Sequence, residues 1–69
     1  MIEVNKRVGL KIRECRERYG WSQEQLALEA NLHRAYVGQI ERAEKNLGLK
    51  NLDKIARALD IPIEYLVKK

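Results

Sequence analysis

The chain has 69 residues, of which 45% are hydrophobic and 35% charged, and its net charge of +4 corresponds to a pI near 9.5. This length allows one domain with one modest core, and the composition is typical of a folded globular protein, not a disordered one. With one Pro, four Gly, no Phe and no strongly alternating run, it favours an all-α fold. The mild basic excess is compatible with nucleic acid but is weak evidence alone.

Several classes of site are excluded by what the chain lacks. A single cysteine, Cys15, rules out an internal disulfide and a cysteine-pair metal site, and its place on an apolar stripe indicates a small core residue. His33 is the only histidine, so neither a metal cluster nor a base–nucleophile pair is expected. No signal peptide or run of about 18 apolar residues is present. We expect a cytoplasmic non-enzyme with no cofactor, membrane contact or small-molecule ligand.

The first helix is predicted from an N-cap at Asn5 to about Tyr19, with Gly20 as its left-handed C-cap. Its apolar stripe has spacings of four, three and four and consists of Val8, Ile12, Cys15 and Tyr19. Three cations on the opposite face are predicted to be solvated: Lys6, Arg7 and Lys11.

The second helix, Gln23 to about Ala30, has the clearest local start signal. Ser22 with Gln25 three residues later forms a predicted capping box, in which each side chain accepts from the other residue's backbone N–H. Trp21 and Leu26 are spaced for the hydrophobic staple that accompanies such a box.

A third helix, Arg34 to Arg42, follows at once. Apolar residues give both helices a stripe: Leu26, Ala27, Ala30, Leu32, Val37 and Ile40. Between the stripes lies Asn31, a residue type that tolerates a left-handed backbone, and the small Ala27 suits a close helix crossing. The two helices therefore read as a helix-turn-helix.

The fourth helix is predicted to begin after Gly48 and to stop at Asp60. Its stripe comprises Leu49, Leu52, Ile55, Ala56 and Leu59. Pro62 then starts a short last helix that contains the apolar Ile63 and Leu66. The prediction is a five-helix, all-α domain over residues 1–69.

The third helix has the features of a major-groove reader. The first turns of such a helix reach base edges, so Arg34 could donate to guanine O6 and N7, Ala35 could touch a thymine methyl, and Gln39 could pair with adenine. The alternative for Arg34 is a solvated arginine paired with Glu29 or Glu41. For Gln39, the alternatives are base reading, either directly or through water, and a purely surface role.

Phosphate contacts are expected at helix starts and from nearby polar side chains. The N-terminus of the second helix carries free N–H groups and a positive dipole end, which suit a phosphate. Tyr36 could use its hydroxyl for a phosphate or pack against the turn, and His33 could cap the third helix or bind a phosphate. The predicted phosphate contacts are Ser22, Gln23, His33, Tyr36, Lys45, Asn46 and Lys50.

One recognition helix reads few base pairs, so a homodimer on a palindromic double-stranded DNA site is expected, with half-sites about 34 Å apart. The surface available for dimerisation is formed by Leu47, Leu49, Ile63, Tyr65 and Val67. The alternative is that these residues close the monomer's own core, which is the preferred interpretation for Leu66.

Nearly the whole chain, from about Lys6 to Val67, resembles the Cro/repressor (XRE) helix-turn-helix family. The resemblance rests on the frame Ile12-Arg13-x-x-Arg16, Gly20-Trp21-Ser22-Gln23, Leu26-Ala27, Leu32-His33-Arg34-Ala35-Tyr36-Val37, Ile40-Glu41-Arg42 and Leu52-x-x-Ile55-Ala56-x-Ala58-Leu59. Within the family, the segment from His33 to Arg42 looks most like the dimeric controller proteins of restriction–modification systems.

The resemblance implies specific roles for several residues. It implies base contacts at Arg34, Ala35 and Gln39. It also implies that Gln23 binds a phosphate and braces the recognition helix, and that Arg16 and Glu41 form a partly buried ion pair. The pair would orient the third helix. The protein itself would control transcription.

The chain departs from the family pattern at its helix ends. Asn31, Ala43 and Asp60 stand where Gly is usual, His33 replaces the usual Ser, Thr or Asp cap, and Gly48 replaces a frequent Ser. The loop from Ala43 to Gly48 is therefore where a different path is expected. Two alternatives stay open: an antitoxin-type DNA-binding subunit with a protein partner, and a helical interaction module without DNA binding, which should expose an apolar recognition face.

Overall fold

Five α-helices form residues 2–68, the part of the chain that the computed structural model describes. They are α1 (Ile2–Arg18), α2 (Gln23–Ala30), α3 (Arg34–Glu41), α4 (Leu49–Ala58) and α5 (Ile63–Val67). No strand occurs among these residues, so the predicted all-α, five-helix class is confirmed. Within the same residues, no helix combines the length and the apolar character that crossing a membrane requires.

The predicted start of α1 was wrong, and the helix ends at Arg18, one residue before the predicted end. The helix begins at Ile2, and Asn5 lies inside it, where its side-chain amide donates to Asn46 Oδ1 at 2.9 Å instead of capping the helix. At the other end Gly20 has the predicted left-handed φ of 73°. Tyr19 is not in the buried stripe but is 49% exposed, because its hydroxyl donates to the Leu59 carbonyl at 2.7 Å and so stays at the surface.

The predicted start of α2 is confirmed, but only half of the capping box forms. Ser22 Oγ accepts from the Gln25 N–H at 3.1 Å. The side-chain amide of Gln25 donates to Glu29 Oε2 at 3.0 Å, one turn onward, so the expected return to Ser22 was wrong. Asn31 ends the helix with a left-handed φ of 58°, as predicted.

Both ends of α3, where weak caps were predicted, are satisfied by hydrogen bonds. His33 caps its start, since Nδ1 accepts from the Ala35 N–H at 3.1 Å. The helix ends at Glu41, one residue earlier than predicted, and Arg42 is its C-cap. Ala43 then adopts a left-handed φ of 60°, which lets the Glu44 N–H donate to the Gln39 carbonyl at 2.8 Å.

Helix α4 begins after Gly48 and is followed by Asp60 at a left-handed φ of 57°, and Pro62 is the N-cap of α5. The predicted stripe of α4 is buried except for Leu49, which is 80% exposed because it lies in the first turn, at the edge of the core. All five helices contribute to the core: Val8, Ile12, Cys15, Leu26, Ala27, Ala30, Val37, Ile40, Leu52, Ile55, Ala56, Leu59 and Leu66. Burial raises the pKa of the Cys15 thiol, in keeping with a packing role.

Gly9 sets how closely α1 approaches the end of α3. A Cβ placed on Gly9 would lie 2.6 Å from the Ile40 carbonyl oxygen and 2.9 Å from that of Glu41. Real side chains do not tolerate such distances to backbone atoms, so only glycine allows this crossing. This close approach is what brings Arg16 of α1 within reach of Glu41.

Two of the three cations that were predicted to be solvated instead hold the end of α5. Lys11 Nζ donates to the carbonyls of Tyr65 and Lys68 at 3.1 and 2.9 Å, and Arg7 donates to that of Val67 at 3.1 Å. Lys11 also lies 5.0 Å from the centroid of the Tyr65 ring. These cations bind the C-terminal end of α5 because its last carbonyls have no partner within the helix.

Candidate nucleic-acid interface

A groove between the start of α2 and the exposed side of α3 brings most of the predicted contact residues together. We call it the recognition groove; it is lined by Ser22, Gln23, Glu24, Arg34, Ala35, Gly38, Gln39 and Arg42. All three predicted base-contact residues line it, along with Ser22 and Gln23 from the predicted phosphate set. The chain therefore presents a helix N-terminus and a helix face side by side.

The recognition groove is braced from beneath by a buried polar network. Arg16 donates to both carboxylate oxygens of Glu41, at 2.7 and 3.2 Å, and its third nitrogen donates to the Trp21 carbonyl at 2.7 Å. Gln23 Nε2 donates to Glu41 Oε1 at 3.1 Å. The hydrogen bond with Glu41 raises the pKa of Arg16, so the guanidinium stays charged. The predicted ion pair and the bracing by Gln23 are both confirmed.

Arg34 extends from the first turn of α3 with 69% of its side chain exposed. The alternative pairing with Glu29 or Glu41 was wrong, since the carboxylate near Arg34 is Glu24, whose Oε2 lies 3.9 Å from the Arg34 guanidinium. That separation is beyond hydrogen-bond distance. The donor fork of Arg34 is therefore available to a ligand in the groove.

Tyr36 and His33 are each engaged within the protein. The Tyr36 hydroxyl accepts from Asn51 Nδ2 at 2.9 Å, which ties α3 to α4 and keeps the hydroxyl's own proton available. Nδ1 of His33 is used by the cap. Lys50 is exposed beside Asn51 in the first turn of α4. Asn51 was missed by the sequence argument, because nothing in the local pattern pairs it with a residue 15 positions away.

Lys45 and Asn46 lie outside the recognition groove. Asn46 accepts from Asn5 at the start of α1, and Lys45 borders an apolar groove on that side of the molecule. The structure thus separates these two residues from the predicted base contacts. The left-handed turn at Ala43 sends the loop towards α1, which the sequence pattern did not show.

Three members of the recognition groove, Glu24, Gly38 and Arg42, were not predicted. Arg34, Gly38 and Arg42 follow one another at intervals of four residues. This spacing alone could have placed Arg42 on the same helix face as Arg34. The Nε and NH2 atoms of Arg42 donate to the two carboxylate oxygens of Glu44 at 2.8 and 3.2 Å. This hydrogen bond raises the pKa of Arg42 and lowers that of Glu44.

The predicted dimer residues divide into two groups. Three of them line a second groove, which we call the apolar groove: Leu47, Leu49 and Val67. Its other lining residues are Val4, Asn5, Val8, Ile40, Lys45 and Leu52. Ile63 packs partly buried against the core, and Tyr65 lies at 37% exposure beside Lys11. Leu66 is fully buried, as predicted.

Comparison with known proteins agrees with this geometry. Residues 12–66 match the family model described as helix-turn-helix. The control protein C.BamHI of Bacillus amyloliquefaciens is 44% identical over 54 residues, which are 77% of this chain and 67% of that protein. The crystal structure of the restriction–modification controller protein C.AhdI from Aeromonas hydrophila superposes with a TM-score of 0.87 at 44% identity, covering 90% of this chain and 94% of that one.

A third similarity is to a protein solved with DNA. The P22 c2 repressor in complex with a synthetic operator superposes with a TM-score of 0.82 at 28% identity, covering 88% of this chain and 92% of the repressor chain. Taken with the family match over residues 12–66, these relatives settle the class of the protein. The chain belongs to the helix-turn-helix family of DNA-binding transcriptional regulators and is similar to restriction–modification control proteins.

Proposed function

We propose that the chain forms a homodimer that binds a palindromic operator, with Arg34, Ala35 and Gln39 of each subunit reading bases in the major groove. The observation that carries this proposal is the recognition groove, in which these three residues lie beside the N-terminus of α2. An α-helix fits the major groove, and the start of α2 is then positioned against the phosphate backbone. The result is one surface that holds the backbone and reads bases.

The phosphate contacts are proposed in two sets. Ser22 and Gln23 at the start of α2 form the first, supported by their place in the recognition groove. Tyr36, His33 and Lys50 form the second, with the Tyr36 hydroxyl held by Asn51. Lys45 and Asn46 remain candidate phosphate contacts only as part of the loop between α3 and α4, since they lie on the side of α1. Such contacts supply affinity and salt dependence without sequence information.

Dimerisation is supported by the exposure of apolar side chains around the apolar groove. Leu49 is 80%, Val67 40% and Val4 39% exposed, and the three line one continuous depression. Small domains gain stability from burying such surface. With no small-molecule ligand proposed, protein concentration sets both dimerisation and operator occupancy. This behaviour suits a controller of the restriction–modification type.

The rival interaction module is disfavoured by the chemistry of the recognition groove. Such a module would expose an apolar patch there, whereas the exposed lining consists of polar and charged side chains and Ala35. The antitoxin alternative requires a stable complex with a different chain, and a regulator that dimerises and binds its operator alone would exclude that requirement.

Operator binding is tested by gel-shift titration on DNA from upstream of the protein's own gene, with a random duplex of the same length as control. We expect tighter binding to the upstream DNA at physiological salt; equal affinity for the two duplexes contradicts the proposal. Sedimentation tests the dimer, using Leu49→Lys as the disruptive variant. Leu28→Lys is the matched control, because Leu28 is 73% exposed on α2 and lies outside the apolar groove.

A further inference from the structure

Arg42 and Glu44 form an ion pair at the edge of the recognition groove. The pair uses the Nε and NH2 atoms of Arg42, which donate to Glu44 Oε2 and Oε1 at 2.8 and 3.2 Å. This edge of a guanidinium is one of the two that can bind a pair of phosphate oxygens in parallel. The Glu44 carboxylate therefore occupies the position that a DNA phosphate would take on the Nε–NH2 edge of Arg42.

The remaining nitrogen of Arg42 faces the groove. NH1 lies 3.1 Å from the point where a Cβ on Gly38 would be, and Gln23 Oε1 lies 3.2 Å from the same point. The arginine is thus placed beside a residue of the proposed phosphate set. Because Gly38 has no side chain, the guanidinium can lie across α3 at this level.

Glu44 is held in place by the backbone, not only by the arginine. Its N–H donates to the Gln39 carbonyl at 2.8 Å, and the preceding Ala43 has its φ fixed at 60°. An exposed ion pair is normally weak because both side chains lose freedom when it forms. Here the turn fixes the backbone of Glu44, so its carboxylate starts within reach of Arg42 before DNA arrives.

The other arginine of the groove is treated differently. Arg34 lies 3.9 Å from Glu24, without a hydrogen bond, whereas Arg42 is bound at two atoms. Arg34, proposed to read bases, is left available. Arg42, which lies beside the proposed phosphate contact Gln23, is engaged by a carboxylate. The contrast shows that the carboxylate acts on Arg42 in particular and not on every arginine of the groove.

We propose that Glu44 acts as an intramolecular competitor for the DNA backbone, and that it must release Arg42 before a phosphate can bind both Nε and NH2 of that arginine. The inference rests on the proposed function in that it requires DNA in the recognition groove. Its effect is to lower the sequence-independent part of the affinity while leaving the base contacts of Arg34 unchanged. The protein would then be less readily held on random DNA.

The test is a double-mutant cycle with Glu44→Gln, Arg42→Met and the double variant, measured by fluorescence anisotropy on a random-sequence duplex at low salt. We expect Glu44→Gln to tighten binding about 1.4- to five-fold, the range for an exposed ion pair. In the Arg42→Met background the same change should give no gain. Glu14→Gln is the control, since it removes an equal charge from an exposed position of α1 outside the groove.

The outcomes separate this inference from the proposed function. A gain that persists without Arg42, or that Glu14→Gln matches, would show a long-range charge effect and overturn the competitor role. No gain from Glu44→Gln would overturn it as well. Equal affinity of the wild-type protein for upstream and random DNA contradicts operator binding but leaves the cycle on the random duplex fully informative.

Discussion

Arg16 and Glu41 are joined by two hydrogen bonds, at 2.7 and 3.2 Å, although they are 25 residues apart in the chain. The Glu41 side chain is only 2% exposed and that of Arg16 11%, so the pair lies in the interior. It connects α1 to the last residue of α3, and Gln23 adds the start of α2 to the same carboxylate. The orientation of the recognition helix thus depends on a buried charge pair.

Glu41→Ala should therefore destabilise the fold clearly. Removing one partner of a buried pair leaves the other charge without compensation, which costs about 3–5 kcal/mol. In a domain of this size each kcal/mol lowers the melting temperature by about 4–8 °C. Thermal denaturation followed by circular dichroism measures the change. Asp53→Ala is the control, because its exposed ion pair with Arg57 does not involve Arg16. Wild-type-like melting of Glu41→Ala would show that the pair of Arg16 and Glu41 contributes little.

Gly9→Ala should destabilise the protein by about 1–3 kcal/mol, the usual cost of overpacking. The new Cβ would meet the Ile40 and Glu41 carbonyl oxygens at 2.6 and 2.9 Å, and these are backbone atoms that cannot rotate away. Chemical denaturation gives the free energy of unfolding. Gly48→Ala serves for comparison, since nothing lies within 4 Å of its Cβ position, and equal losses at both sites would argue against a close crossing at Gly9.

Ala43→Gly should stabilise the protein by up to about 1 kcal/mol. Ala43 has a φ of 60°, where a Cβ costs about 1–2 kcal/mol that glycine does not incur, while glycine's greater freedom in the unfolded chain removes part of the gain. The same denaturation measurement detects it. A loss of stability would mean that the turn relaxes to another conformation in solution.

Lys11→Met should loosen the end of α5 by about 1 kcal/mol, because Lys11 donates to the carbonyls of Tyr65 and Lys68. Amide hydrogen exchange should become faster at Leu66 and Val67, and, if α5 forms the dimer surface, dimer dissociation should become easier. Lys6→Met removes the same charge from an exposed position on α1. Identical exchange in the two variants would show that Lys11 does not hold α5.

The parts of the fold that could be predicted are those governed by neighbouring residues. Ser22 and Asn31 fixed the bounds of α2 because capping and a left-handed turn depend on local chemistry. Leu26 and Val37 were recognisable as core from helical spacing alone, and both are fully buried. Arg34, Ala35 and Gln39 were predicted to share one face for the same reason, since residues of one helix keep their relative positions. Tyr36 was wrongly predicted on that face, because its hydroxyl is instead bound by Asn51 of α4.

The parts that could not be predicted depend on contacts between distant segments. Asn5 looked like a cap, but its partner is Asn46, and no pattern in either segment shows that pairing. Tyr19 has helical spacing for the core, yet the Leu59 carbonyl holds its hydroxyl at the surface. The engagement of Arg42 by Glu44 required the path of the loop, which turns at Ala43.

Base reading by α3 is tested by the operator preference of Arg34→Ala, measured as the ratio of affinities for upstream and random duplexes at one salt concentration. A bidentate arginine–guanine contact contributes about 1–3 kcal/mol of discrimination, so we expect the ratio to fall about five- to 150-fold per contact with the melting temperature unchanged. Arg57→Ala, which removes an 80% exposed arginine from α4, should leave the ratio as it is. An unaltered ratio in Arg34→Ala would contradict base reading by α3.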